Sequence, residues 1–432
     1  MKHINPATLE STDIKETPIS SIRSIVAKAK LSQQSWSKLT VKERVTEIRK
    51  LSGLIRQDAK TIAETITSDM GKPISQSKGE VEHAIEQINF FCNKSEQWLA
   101  PEDNVHFDPL GVVAVISPWN YPLNTPFSSI IPALLCGNAV IHKPSEFTPK
   151  VGIEIDKLLI GLPFFTITGG KKHGEALVKE DIQMVSFTGS TATGKKIMKD
   201  SADKLHRLVL ELGGLDAAIV LKDIDIKKTA ADIVKRNARN SGQVCCSIKR
   251  VFVEEPIFQE FVDEAVKASK KLTIGDPMTY PDMGPVVAEF QLKKIKGAIK
   301  DAVQKGAKVL TGGKAKGLFF PQTIIVDVKP EMELMHEEPF GPILPIVSVK
   351  YYKEAIKQAN NTDYGLTGSV WTNNKKLAID IAKQLQVGVV NINSHGSCGM
   401  GNPWGGAKCS GIGRQDNKEG FRAFTEMKYI RV

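Results

Sequence analysis

Two adjacent cysteines are candidate nucleophiles. Cys245 and Cys246 end the segment NSGQVCC, and the residues before it, 226–239, have the apolar spacing of a helix. The pair Gly242-Gln243 should break that helix and leave Cys245 on an exposed turn, where local dipoles can deprotonate its thiol. A thiolate there could attack a carbonyl carbon. The alternative is that both cysteines are small buried hydrophobic residues, and this segment alone does not separate the two interpretations.

A carboxylate and an amide follow two apolar runs that are typical of buried strands. Glu211 lies at the end of the run RLVLE, where partial burial would raise its pKa into the range that suits a general base. Asn120 follows the run GVVAVIS, and its N–H₂ group could donate to an oxyanion. Ligands bind at the carboxyl ends of strands in open α/β sheets. A salt-bridged structural glutamate and an ordinary turn asparagine are the alternatives.

The segment GSTATGK, residues 189–195, follows another predicted strand and matches most of a phosphate-binding loop. That motif needs Ser or Thr after its lysine to hold magnesium, and this chain has Lys196 there. A nucleoside triphosphatase is therefore disfavoured, and the dinucleotide fingerprint GxGxxG is also missing. What remains is a helix start whose backbone N–H groups can face a phosphate, although glycine after a strand often serves packing alone.

The apolar pattern also predicts the elements that must position these groups. Apolar residues recur every three or four positions in residues 20–99, so this stretch should be helical, with a break at residues 71–73. From residue 111 onward, short apolar runs alternate with helical stretches, which predicts parallel strands joined by helical crossovers. Residues 98–109 are polar and should form an irregular connection, and residues 421–432 should form a terminal strand.

Composition and charge exclude several classes of function. The 432 residues suit two or three domains, and 41% hydrophobic with 25% charged residues is ordinary for a globular protein. The net charge of +10 comes from scattered lysines, so we expect a solvated surface and no nucleic-acid partner. No pair among the six cysteines has CxxC spacing, so no metal is expected. With no signal peptide and no run of about 18 apolar residues, we expect a cytoplasmic protein without membrane contact.

Six motifs occur in an order that points to one family. They are PWNYP, KPSE, FTGST, LELGG, GQVC and EEPFGP, and together they strongly resemble those of the aldehyde dehydrogenase superfamily. The similarity runs from INPATLE near the N-terminus to PWGGAKCSGIGR, residues 403–414, near the C-terminus. The GQVC segment and its surroundings are most similar to members of the succinate-semialdehyde dehydrogenase type.

The resemblance implies a fold class: an α/β protein with a doubly wound, Rossmann-like cofactor domain, an α/β catalytic domain and a small oligomerisation β element. The cofactor domain should cover residues 1–98 and 109–212, and the catalytic domain residues 213–409. Residues 99–108 and 420–432 should form the oligomerisation element, a shortened hairpin with the terminal strand. A homodimer or homotetramer is expected, and the short hairpin leaves the choice between them open.

The resemblance also implies a role for each candidate. Cys245 is the expected nucleophile, and Asn120 with the backbone N–H of Cys245 should stabilise the oxyanion. After hydride transfer to the nicotinamide, Glu211 should activate the water that hydrolyses the thioester. The implied reaction is the NAD(P)-dependent oxidation of a small aldehyde to a carboxylic acid. Cys246 is the alternative nucleophile, but the register of the family motif favours Cys245.

The same resemblance places the cofactor, NAD or NADP, along a groove. Its expected contacts are Ser117, Trp119, Lys143, Glu146, Gly189, Ser190, Gly194, Leu212, Glu338 and Phe340. Lys143 and Glu146 should hold the adenosine ribose. A carboxylate at that point accepts from a 2′-hydroxyl but repels a 2′-phosphate, so we favour NAD over NADP.

Other functions and the substrate stay open. A CoA-acylating member of the superfamily usually lacks the basic glutamate, so Glu211 favours hydrolysis. A catalytically silent NAD-binding member is disfavoured because all three catalytic candidates are present, and a P-loop nucleotidase is the weakest alternative. The substrate could be a semialdehyde or a small aliphatic aldehyde. His395 and Ser397 are polar candidates at the entrance, but a solvated loop is the simpler interpretation, and no arginine clamp is assigned.

Overall fold

Helices dominate the N-terminal region of the computed structural model, which describes residues 1–431. A hairpin of β1 (Lys2–Ile4) and β2 (Ser11–Asp13) precedes the helices α1 (Ile22–Trp36), α2 (Val41–Met70) and α3 (Ile74–Leu99). Thr40 and Glu43 form a capping box at the start of α2, and Gly71 ends it with a left-handed φ of 84°. The sequence places this break correctly.

The first large sheet has six strands, of which five lie in residues 112–211 and the sixth comes from the C-terminal region. The next elements are β3 (Val105–Pro109), β4 (Val112–Ile116), α4 (Asn124–Leu135), β5 (Ala139–Lys143), α5 (Pro149–Leu158), β6 (Phe164–Thr166), α6 (Lys171–Val178), β7 (Met184–Thr188), α7 (Thr191–Ser201) and β8 (Arg207–Glu211). Strands β8, β7, β4, β5 and β6 lie side by side in that order and are parallel. The alternation of apolar runs and helical stretches predicts this arrangement.

A second sheet of seven strands repeats the α/β alternation. Its elements are β9 (Asp216–Val220), α8 (Ile226–Ala238), β10 (Ile248–Glu254), α9 (Phe258–Lys271), α10 (Glu289–Gln304), β11 (Lys308–Thr311), β12 (Thr323–Val326), β13 (Ile343–Val349), α11 (Tyr352–Asn360), β14 (Thr367–Trp371), α12 (Lys375–Ala382) and β15 (Val389–Ile392). The spatial order is β11-β12-β13-β10-β9-β14-β15, in which the edge strand β11 is antiparallel.

Both sheets are covered on two faces, as a doubly wound fold requires. In β4, Val113 and Val115 pack into one hydrophobic cluster, whereas Val112 and Ala114 pack into another. Residues 217–220 of β9 are divided between two further clusters in the same way. Strands buried on both faces are apolar along their whole length, which is why they appear in the sequence as uninterrupted runs. The fold class is therefore α/β, as expected.

The C-terminal elements depart from the expected boundaries. They are β16 (Gly411–Ile412), α13 (Lys418–Arg422) and β17 (Thr425–Tyr429). The last strand is thus shorter than predicted, because residues 418–422 form a helix; Val432 lies outside the described residues. β16 returns to the first sheet and pairs with β8.

The stretch expected to be an irregular connection is partly ordered. Helix α3 continues to Leu99, and β3 pairs antiparallel with β17. The role of this pair of strands in assembly stays a prediction. Among residues 1–431, no helix is both long and apolar enough to cross a membrane.

Candidate active site

The loop that carries the cysteines turns earlier than the sequence predicts. Asn240 and Ser241 have left-handed φ angles of 50° and 53°, so the chain turns before the Gly242–Gln243 pair. Gly242 is needed for a different reason. Its φ is 73°, and a Cβ at this position would lie 2.1 Å from the carbonyl carbon of Gly341. Only glycine therefore lets the cysteine loop pack against the backbone of the EEPFGP motif.

The turn places both cysteines at a cavity of about 490 Å³. Cys245 and Cys246 line this catalytic cavity and are each partly exposed, so neither is a fully buried hydrophobic residue. The hydrogen bond between the two thiols, together with burial, raises the pKa of Cys245, and the same bond lowers the pKa of Cys246. The Lys249 ammonium group favours the thiolate form of both. The two sulfurs are therefore one coupled pair.

Glu211 lies at the end of β8 and lines the same cavity. It is 4% exposed, and neither carboxylate oxygen has a hydrogen-bond partner within residues 1–431. Burial first, and the charge of Asp416 second, raise the pKa of Glu211 well above its ordinary value, while Arg414 opposes the shift. A carboxyl group in this environment is a strong base once it has lost its proton. A salt-bridged structural glutamate does not fit this geometry.

Asn120 is held against the cysteine loop. Its Nδ2 donates to the carbonyl oxygen of Gln243 at 3.0 Å, and Nδ2 of Asn240 donates to the carbonyl oxygen of Asn120 at 3.1 Å. One amide hydrogen of Asn120 is left for another acceptor. The backbone N–H of Cys245 also makes no hydrogen bond within residues 1–431. The structure thus places the thiol and the carboxylate of the sequence prediction at one cavity and holds the amide against the loop that carries the thiol.

Lys249 is a buried cation beside this site that the sequence analysis did not single out. Its Nζ lies 3.1 Å from Oε1 of Glu338 and donates to the carbonyl oxygens of Val244 and Cys245. The ammonium group therefore ties the cysteine loop to the EEPFGP motif. The only signal in the sequence was its place four residues after Cys245.

Residues of the predicted cofactor site are in contact with one another. The rings of Trp119 and Phe340 meet edge to face with centroids 5.4 Å apart. A Cβ on Gly194 would lie 2.6 Å from Cδ2 of Leu212, so the start of α7 packs directly on the residue after Glu211. This close approach holds the N-terminal end of α7, whose N–H groups can face a phosphate, against Leu212 just after β8.

The other predicted cofactor residues are placed along the same edge of the first sheet. Ser190 caps α7 by accepting a hydrogen bond from the N–H of Thr193. Lys143 Nζ lies 3.2 Å from Oε2 of Glu146, whose side chain is 39% exposed. The hydroxyl group of Ser117, also a predicted cofactor contact, is buried and already forms a hydrogen bond with Nε2 of His142 at 2.8 Å.

Comparison with known proteins identifies the family. The model of the aldehyde dehydrogenase family matches residues 1–430. The chain belongs to the aldehyde dehydrogenase family. Lactaldehyde dehydrogenase of Escherichia coli (strain K12) is 35% identical over 99% of this chain and 94% of the relative. A crystal structure of lactaldehyde dehydrogenase from Escherichia coli superposes with a TM-score of 0.95 at 34% identity and covers 100% of this chain and 95% of that one.

Two further relatives bear on the cofactor of this aldehyde dehydrogenase. A probable succinate-semialdehyde dehydrogenase (NADP+) of Sinorhizobium fredii (strain NBRC 101917 / NGR234) is 33% identical over 99% of this chain and 92% of its own length. A crystal structure of betaine aldehyde dehydrogenase from Staphylococcus aureus in complex with NAD+ has a TM-score of 0.95 at 30% identity, covering 100% and 90%. The chain is thus an NAD(P)-dependent oxidoreductase of aldehydes.

At the entrance of the aldehyde dehydrogenase cavity, one expectation from the sequence is wrong. His395 is not part of a solvated loop: it is 5% exposed, and its Nδ1 lies 3.0 Å from the hydroxyl oxygen of Ser369. Ser397 is exposed at the cavity. Two arginines of the α8 region, Arg236 and Arg239, also line it. The sequence analysis missed them because nothing in a helical pattern shows which charges face a cavity formed by other segments.

Proposed function

We propose that the protein oxidises an aldehyde that also bears a carboxylate, a semialdehyde such as succinate semialdehyde, and releases the product by hydrolysis of a thioester on Cys245. The observation that supports a carboxylate on the substrate is an arginine at the cavity that forms no ion pair within residues 1–431. Arg236 is neutralised by Asp232, with Nε 2.9 Å from Oδ2. Arg239 is exposed, and no carboxylate within residues 1–431 forms an ion pair with it.

The position of Arg239 suits a short substrate with charge at the far end. Its guanidinium carbon lies 5.8 Å from the centre of the Tyr121 ring, which follows Asn120 in the chain. A carboxylate bound to Arg239 would therefore leave the aldehyde end within the cavity, near Cys245. Paired recognition of a planar carboxylate is the interaction for which arginine is best suited.

The first half of the reaction uses the sulfur and the two free donors. The Cys245 thiolate attacks the aldehyde carbon, so a C–S bond forms and the carbonyl π electrons move to oxygen. The remaining amide hydrogen of Asn120 and the backbone N–H of Cys245 can both reach an oxyanion there. When bound, the nicotinamide cofactor supplies the acceptor for the hydride that leaves the same carbon.

The second half uses Glu211. Its carboxylate takes a proton from water, the hydroxide attacks the thioester carbon, and the C–S bond breaks to give the carboxylic acid and the thiolate. Glu211 has no other partner that would compete for its oxygens within residues 1–431. The base is therefore available for water, which supports hydrolysis over transfer to CoA.

A substrate screen tests the proposal. The purified protein is given succinate semialdehyde, lactaldehyde, butanal and benzaldehyde, with NAD and NADP in parallel and with or without CoA. We expect NADH formation with the highest kcat/KM for the semialdehyde and no dependence on CoA. A uniform kcat/KM across the aldehydes would contradict the proposal that the substrate bears a carboxylate. Turnover that requires CoA would show that the thioester is released by acyl transfer and not by hydrolysis.

Replacing Arg239 should separate charged from uncharged substrates. We expect Arg239→Gln to raise KM for succinate semialdehyde roughly 10- to 100-fold, the worth of one charge-assisted hydrogen-bonded pair. KM for butanal, which has the same chain length without the carboxylate, should change by less than about threefold. Arg236→Gln is the matched control, because this arginine already pairs with Asp232. An equal loss for both aldehydes would show that Arg239 does not bind the substrate carboxylate.

Cofactor choice should depend on Glu146. We propose NAD as the preferred cofactor, because the Glu146 carboxylate would repel a 2′-phosphate. Glu146→Gln removes that charge and frees Lys143, so kcat/KM for NADP relative to NAD should rise about tenfold. Glu154→Gln is the control, since Glu154 also pairs with a lysine three residues away, at 2.8 Å, on the surface. An unchanged ratio in the Glu146 variant would place the cofactor selectivity elsewhere.

A further inference from the structure

A second carboxylate faces the catalytic cavity and takes no part in the steps above. Asp416 lines the cavity together with Glu211, and the residue is half-buried. Its Oδ1 is buried and has no hydrogen-bond partner within residues 1–431. An unpartnered buried carboxylate oxygen at the cavity that Glu211 also lines costs folding free energy, so stability does not explain its presence, and a role in the chemistry is the alternative.

The backbone holds Asp416 in this place. Its φ is 65°, in the left-handed region that few residues other than glycine adopt, and its carbonyl oxygen accepts from the N–H of Gly401 at 2.8 Å. Two residues before it, Arg414 is tied by Nη1 to the carbonyl oxygens of Gly406 and Gly413. The segment is therefore anchored from both sides, and the carboxylate is directed by the fold rather than by a partner.

We propose that Asp416 is a positioning residue that controls when Glu211 is free to take a proton from water, and hence the pH at which thioester hydrolysis begins. The inference rests on the proposed function, because it takes Glu211 as the base. Two buried carboxylates at one cavity wall repel each other when both are ionised, and the proton stays longer on the more deeply buried one.

The electrostatics give the order of ionisation. Burial raises the pKa of Asp416 to about 6, so it loses its proton first. Its negative charge then adds to the burial of Glu211 in raising the pKa of that carboxyl group, and Arg414 acts in the opposite direction. The other titratable and charged groups at the cavity are Glu80, Glu82, His83, Glu86, Tyr121, Arg236, Arg239, Cys245, Cys246, His395 and Cys398.

The pH dependence of hydrolysis measures this coupling. An activated ester such as p-nitrophenyl acetate acylates the cysteine without any cofactor, so the steady rate after the burst reports hydrolysis of the acyl enzyme. In the wild type this rate should rise with pH as Glu211 ionises. Asp416→Asn removes the neighbouring charge, so the rising limb should move to lower pH by about one unit.

Two variants guard against a merely structural effect. Asp416→Gly also removes the charge and suits the left-handed backbone, so its limb should move as far as that of Asp416→Asn. Asp327→Asn makes the same substitution at another residue with positive φ, 57°, on the surface beside Lys308, and should leave the limb in place. A limb that stays fixed in both Asp416 variants overturns the proposal. If the wild type forms no acyl enzyme and oxidises no aldehyde, the proposed function fails instead.

Discussion

Cys245→Ser should lower the rate of NADH formation by about a thousandfold or more, whereas Cys246→Ser should leave kcat within about threefold of the wild type. The reason is the difference between sulfur and oxygen. A serine hydroxyl is a far weaker acid than a thiol, and the Lys249 ammonium group can stabilise a thiolate but cannot deprotonate an alcohol. The thioester, which water opens easily, would also be replaced by a stable ester.

The coupled thiols make this comparison informative. Because their shared hydrogen bond favours the thiolate on Cys246, a simple acidity argument selects the neighbour, whereas the free N–H of Cys245 and the amide of Asn120 favour Cys245. Alkylation by iodoacetamide followed by peptide mass spectrometry gives a direct second measurement. Titration of NAD, followed by quenching of the tryptophan fluorescence, to which Trp119 contributes with four other tryptophans, serves as the control that both variants still bind the cofactor. An inactive Cys246→Ser protein beside an active Cys245→Ser protein would reassign the nucleophile.

Local chemistry explains why so much of the fold could be predicted. Strands such as β4 and β7 are buried on both faces, so their apolar runs stand out against the amphipathic helices that follow them. Gly71 ends α2 because glycine readily adopts the left-handed conformation, so the residue type alone predicts the end of the helix. These features depend on neighbours in the chain and are visible without a structure.

The errors lie where distant segments meet. Residues 105–109 lack the pattern of a buried strand, because β3 pairs only with β17 within residues 1–431 and each of its residues is half-buried. The sequence around His395 has the pattern of a loop, yet the side chain of His395 is buried and forms a hydrogen bond with Ser369 of β14. Arg239 and Asp416 gain their importance from a cavity that is lined by segments from distant parts of the chain. No local pattern encodes such a meeting, whereas Glu211 could be proposed as a candidate from its position at a strand end, and the family resemblance then gave it a role.

Glu211→Gln should limit the enzyme to about one turnover per subunit before hydrolysis becomes very slow. Acylation does not need the base, so NADH should appear in a burst of about one equivalent per subunit. Hydrolysis should then limit the rate, and the steady state should fall roughly 100- to 10,000-fold, the usual contribution of a general base. Stopped-flow absorbance measures the burst, and intact-protein mass spectrometry should detect the acyl group on Cys245. The absence of both burst and adduct would mean that Glu211 acts before the thioester forms.

The same variant tests whether the pKa of Glu211 is raised in the folded protein. Its pKa is raised in the folded protein, so the unfolded chain loses this proton first as the pH rises above the ordinary value of 4.5. The wild type should therefore lose stability through that range, and Glu211→Gln, which carries no proton to lose, should not lose this part. Thermal unfolding of the two proteins should give similar Tm values near the ordinary carboxyl pKa and a growing advantage for the variant at higher pH. A parallel pH dependence would mean that the buried carboxyl group finds a partner that stabilises its charge, and hydrolysis would then need another base.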